Sequence, residues 1–67
     1  MYPNPASSMI NISCENFDRV EVFNISGQKV GTEYFPEFSV ANLNTGVYFF
    51  HIYNFEGNKA VEKVVIE

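Results

Sequence analysis

Sixty-seven residues carry eight acidic and four basic side chains, a net charge of −4, and eleven aromatic rings, the make-up of one small foldable domain. A chain of this size buries only about 60% of its unfolded surface and has no room for a second domain or an interdomain cleft. The four cations, Arg19, Lys29, Lys59 and Lys63, stand singly, which excludes nucleic acid as a partner and argues against docking on an anionic membrane.

The chain opens on Met1-Tyr2-Pro3-Asn4-Pro5. This start has no basic region followed by an apolar stretch and is not a signal peptide. Met1 is read as an added start residue and the chain as cut from a longer protein. Pro3 and Pro5 fix two φ angles and make a stiff lead-in to the first strand. Met9-Ile10-Asn11-Ile12-Ser13 alternates with period two, and Arg19-Val20-Glu21-Val22-Phe23 does the same. Asn24-Ile25-Ser26-Gly27 reads as a tight turn in which Gly27 takes the left-handed conformation of a bulged hairpin. Gln28-Lys29-Val30 then returns antiparallel to the strand before it.

Pro36 interrupts the chain ahead of a short strand at Phe38-Ser39-Val40. Gly46 to Tyr53 is the longest and most aromatic strand. Alternation puts Tyr48, Phe50 and Ile52 on one face and Val47, Phe49, His51 and Tyr53 on the other. Both faces are apolar, so the strand is expected to be central or covered on both sides. Glu56-Gly57-Asn58 is the next turn, and Ala60 to Ile66 completes a terminal hairpin. Gly46, like Gly27 and Gly57, sits where a turn favours positive φ. Six or seven short strands with no helical stripe predict an all-β, compact antiparallel β-sandwich as a single domain over 1–67. No apolar run reaches the ~20 residues of a membrane helix, and no internal repeat or linker is evident.

Little in the chain suggests chemistry. Cys14 is the only cysteine and His51 the only histidine. One thiol cannot make an intrachain disulfide or a multi-cysteine metal site. His51 is read as a half-exposed strand residue without an orienting partner, and Cys14 as an inert, buried or half-buried thiol. The carboxylates are too dispersed for a calcium loop. No phosphate-cradling glycine loop, cofactor site, metal site or catalytic group is expected.

The order of the motifs is more informative than any one of them. Tyr2-Pro3-Asn4-Pro5 is followed by the strand–Ser26-Gly27–strand hairpin, then Leu43-Asn44-Thr45-Gly46-Val47-Tyr48, then Lys63-Val64-Val65-Ile66 at the end. Over essentially the whole chain this resembles the C-terminal sorting domain of the type IX (Por) secretion system of Gram-negative bacteria. The resemblance implies an immunoglobulin-like β-sandwich fused to the C-terminus of a cargo protein. Cargo crosses the inner membrane by a signal peptide, passes the periplasm, and is directed by the domain through the outer-membrane translocon to the cell surface or medium. A cell-surface sortase then removes the domain. It is a non-catalytic signal that is read and cut.

Carried over residue by residue, Pro3, Asn4 and Pro5 match the opening motif, Gly27 the hairpin turn, and Gly46 and Tyr48 the G-x-Y motif. Lys63, Val64, Val65 and Ile66 match the terminal strand. Glu67 departs from the basic or apolar ending of many members. The cut is expected upstream of Tyr2-Pro3-Asn4-Pro5 and so outside this chain. Lys63 to Glu67 are expected to form an accessible edge or end, readable by strand addition. The alternative is a small immunoglobulin-like binding or structural module of a larger extracellular protein. Its natural patch is Val47, Phe49 and Tyr53, unless these make a second core face.

Overall fold

The computed structural model describes residues 9–67, so the Pro3, Asn4 and Pro5 motif lies outside the described residues. Six strands follow in chain order: β1 (Met9–Asn11), β2 (Phe17–Asn24), β3 (Lys29–Glu33), β4 (Glu37–Ser39), β5 (Gly46–Asn54) and β6 (Lys59–Ile66). They form two antiparallel sheets, a two-stranded β1-β4 and a four-stranded β3-β2-β5-β6. The described chain is thus all-β, as the period-two patterning predicts, and contains no helix.

Period two also decides what is buried. In β2, Val20 and Val22 turn inward; in β5, Tyr48, Phe50 and Ile52; in β6, Val64 and Ile66. The small sheet supplies Ile10 and Phe38, and Ile12 and Val40 follow its strands into the same cluster. Phe38 meets Phe50 with ring centroids 5.8 Å apart and joins the two sheets across the core. Phe50, Ile10, Ile66, Val20, Val40 and Val64 are almost fully buried, and among the described residues the only polar side-chain group in the core is the Tyr48 hydroxyl.

β5 is central, as its two apolar faces suggest, lying between β2 and β6. Only one of those faces is core. Val47, Phe49, His51 and Tyr53 are half-buried on the outward side, so the expectation of a second core face is corrected. Neighbouring strands shield these residues laterally: Phe23 lies 4.3 Å from His51, and the Arg19 guanidinium lies 4.1 Å over the Tyr53 ring.

The β2–β3 and β5–β6 hairpins use the same turn. Asn24 Oδ1 accepts the N–H groups of Ser26 and Gln28, both at 3.0 Å, and Asn54 Oδ1 accepts those of Glu56 at 2.9 Å and Asn58 at 3.0 Å. The Gly27 N–H donates to the Asn24 carbonyl at 2.9 Å, and the Gly57 N–H to that of Asn54 at 3.2 Å. Both glycines have φ of 85°, the left-handed state that follows a type I turn in a bulged hairpin. An asparagine three residues before a left-handed glycine is therefore one solution used twice, with the side-chain amide standing in for missing ladder partners. The bulge itself falls at Val30, which has no partner between the pairs Val22–Gly31 and Phe23–Lys29.

A Cβ added at Gly27, Gly57 or Gly31 would meet nothing within 4 Å, but only the first two have positive φ. Gly27→Ala and Gly57→Ala are expected to cost about 1–2 kcal/mol each, from backbone strain alone. Gly31→Ala should be neutral or stabilise by up to ~1 kcal/mol. Urea unfolding of the three variants checks this; equal effects at all three would remove the turn assignment.

Candidate recognition surface

The motif residues do not converge on a pocket. The register places Asn24 opposite Tyr48 and Gly46 opposite Ile66. The Gly27 turn, the start of β5 and the end of β6 therefore share one end of the four-stranded sheet. Three separate stretches of the sequence motif meet there, and each serves the fold before it serves a partner.

Tyr48 shows this best. Its ring is buried, and its hydroxyl donates to the Asn44 carbonyl at 2.8 Å. The bond ties the connection preceding β5 back onto the strand, closing the turn of Leu43-Asn44-Thr45-Gly46. The sequence reading has the ring in the core but misses the bond. Its only signal is the four-residue spacing from Asn44, which becomes legible once the chain is known to fold back there. No side-chain polar atom is left buried without a partner among the described residues.

The terminal strand divides by face. Val64 pairs with Tyr48 and Ile66 with Gly46, and both side chains are core. Lys63 is exposed opposite Phe49, Val65 is half-buried opposite Val47, and Glu67 is exposed beyond the ladder. Alternation turns every second side chain, Val64 and Ile66, into the core and leaves Lys63, Val65 and Glu67 on the other side. In the order β3-β2-β5-β6, β6 is one of the two edge strands among the described residues, with β3 at the other edge.

Cys14 and His51 are not brought together. Cys14 packs at the margin of the core, with its thiol 3.6 Å from the Glu15 carbonyl, whereas His51 lies on the outward face against Phe23. A thiol–imidazole pair would need both within hydrogen-bond reach. Arg19 donates to Asp18 at 2.6 Å and to Glu21 at 3.3 Å, and Lys29 lies 3.7 Å from Glu21. The hydrogen bond to Asp18, with Glu21 adding to it, raises the Arg19 guanidinium above its ordinary range, so it stays cationic. These pairs are half-exposed and modest in energy. No cluster of His, Cys, Asp and Glu among the described residues is arranged to hold a metal. A cleft of about 50 Å³ lined by Val22, Val30, Phe38 and Leu43 is far smaller than the 300–1,000 Å³ typical of a ligand site.

Residues 1–67 match the family described as "Secretion system C-terminal sorting domain". The chain belongs to that family. It is a C-terminal sorting signal for type IX secretion, a system of Gram-negative bacteria, and not an enzyme. Its role implies the type IX machinery, a fused cargo, and export toward the cell surface or extracellular space. No curated protein and no solved structure matches the chain.

Tyr48→Ala is expected to cost about 3–5 kcal/mol, as for other large buried rings. Tyr48→Phe, which removes only the bond to Asn44, should cost about 1 kcal/mol. Thermal melts of both proteins test the two roles separately. A Phe variant as damaged as the Ala variant would make the hydroxyl, and not the ring, the dominant contribution.

Proposed function

We propose that this domain is a folded export address whose terminal strand is read by the outer-membrane translocon from its outward side. Lys63, Val65 and Glu67 are the readable residues, and Val64 and Ile66 hold that strand in place. Cargo fused on the N-terminal side crosses the inner membrane by its own signal peptide and passes through the periplasm. It then leaves by the translocon, after which a cell-surface sortase removes the domain at a cut upstream of Pro3, Asn4 and Pro5. Gly27, Gly46 and Tyr48 contribute by fixing the end of the sheet at which the strand terminates. The observation that carries the reading is the family match over 1–67 together with the division of β6 into a buried and an outward row. Along β6, an edge strand among the described residues, an extended partner segment adds its own backbone hydrogen bonds.

The architecture we infer is an immunoglobulin-like β-sandwich with 1–67 as one domain. Two observations support it. The pairing of β1 with β4 beside β3-β2-β5-β6 parallels strands B and E beside C′, C, F and G. The Tyr48 hydroxyl on the Asn44 carbonyl parallels the tyrosine corner near the start of strand F.

The test is export of a reporter bearing an inner-membrane signal peptide and, at its C-terminus, this chain with its native upstream residues, in a bacterium with the type IX system. The double variant Lys63→Glu/Glu67→Lys alters only exposed positions, whereas Ile66→Ala removes core and should cost about 2–5 kcal/mol. The double variant is expected to fold, by melting of the purified domain, yet leave the reporter in the periplasm. Ile66→Ala should lose stability and export together. Full export of the folded double variant would overturn the reading of the terminal strand.

A further inference from the structure

The opposite end of the molecule presents a second surface. Three connections meet there: residues 12–16 from β1 to β2, 34–36 from β3 to β4, and 55–58 from β5 to β6. Backbone bonds tie them together, from the Ile12 N–H to the Pro36 carbonyl at 2.7 Å and from the Phe55 N–H to the Asn16 carbonyl at 2.9 Å. Asn16 is held at a φ of 58°, so this loop is bent tightly under Phe55.

Three aromatic side chains project from these connections: Tyr34 is 66% exposed, Phe35 73% and Phe55 74%. Tight connections ordinarily favour Gly, Asn, Asp and Ser. A domain whose core rings are all buried or half-buried gains nothing in stability from three open rings at one end. Among the described residues, the end that holds the C-terminus has only Ile25 comparably exposed.

Charge is also uneven. Glu15, Glu33, Glu37 and Glu56 lie in or directly beside these three connections along the chain, as does Lys59, while Asp18 is paired with Arg19. That distribution selects the partner. An anionic lipid surface is repelled, and a second copy docked end to end would set carboxylates against carboxylates. A protein cleft with apolar walls and a Lys- or Arg-rich rim fits both features, the rings supplying anchors and the carboxylates steering the encounter.

We propose that this aromatic, acid-rimmed end is a second docking surface for a basic-rimmed apolar cleft on a protein of the export machinery. The domain is 32 × 22 × 15 Å, and its long axis matches a nine-residue strand at ~3.3 Å per residue. This second surface does not rest on the terminal-strand reading, because Lys63 and Glu67 lie toward the other end and their variants are assayed in parallel.

The experiment uses the same reporter carrying Tyr34→Ser/Phe35→Ser/Phe55→Ser, with Ile25→Ser as the opposite-end control. In companion proteins the photo-crosslinker p-benzoylphenylalanine replaces Phe35, Phe55 or Ile25. The triple variant should melt as the unchanged domain does but be exported roughly tenfold less. Crosslinks from positions 35 and 55, and not from 25, should reach a protein of the export system. Their yield should fall when Glu33, Glu37 and Glu56 become Gln. Undiminished export of the triple variant overturns the proposal. So do crosslinks that join two copies of the chain or reach lipid, and so does equal crosslinking from position 25.

Discussion

The contact between Phe38 and Phe50 is the one on which the rest of the fold depends. A four-stranded sheet and a two-stranded one have little reason to stay together except through the side chains between them, and these two rings are the largest that meet there. Phe50 can reach Phe38 only because β5 is paired on both sides and its alternation is held in phase by β2 and β6. A slip of one residue in either ladder would turn Tyr48, Phe50 and Ile52 outward and present Phe49, His51 and Tyr53 to the core. His51 would then be buried without an adequate partner and Tyr53 would leave the Arg19 guanidinium, a cost that selects the observed register.

The turns reinforce that register. The Asn24 and Asn54 amides each satisfy two backbone donors, and each left-handed glycine returns the chain at a fixed step. The Tyr48 hydroxyl does the same for the connection entering β5. With so little core, a domain of this size relies on such local restraints to specify one structure as well as to stabilise it. Gly27 and the Gly46-Val47-Tyr48 stretch are folding devices in this structure.

Most of the strand plan was legible in the sequence because period-two alternation is strong wherever one face is apolar and the other polar, as in Val20-Glu21-Val22. It was least legible where both faces are apolar. The outward row Val47, Phe49, His51 and Tyr53 looks like core by composition, and only the pairing shows that the small sheet covers one side. In β6 the run Val64-Val65-Ile66 has no alternation to read, so its inward and outward members are assigned only by pairing with Tyr48, Val47 and Gly46. Asn54 is not legible as a capping residue while the second turn is read as Glu56 to Asn58. The repeated spacing from Asn24 to Gly27 and from Asn54 to Gly57 was the available signal.

The division of β6 changes how the terminal strand can be understood as a signal. If recognition were a matter of a linear tail, removing residues 63–67 would leave a folded domain without its label. Here the same residues contribute Val64 and Ile66 to the core, so trimming them damages the fold whether or not the outward row is the label. Loss of export on truncation therefore does not by itself distinguish a contact from a fold. The coupling also constrains the signal: Lys63, Val65 and Glu67 stand in a fixed row only while Val64 and Ile66 are packed beneath them. An unfolded chain contains the same residues but not the row, and any partner that reads the row thereby reads the folded state of the domain.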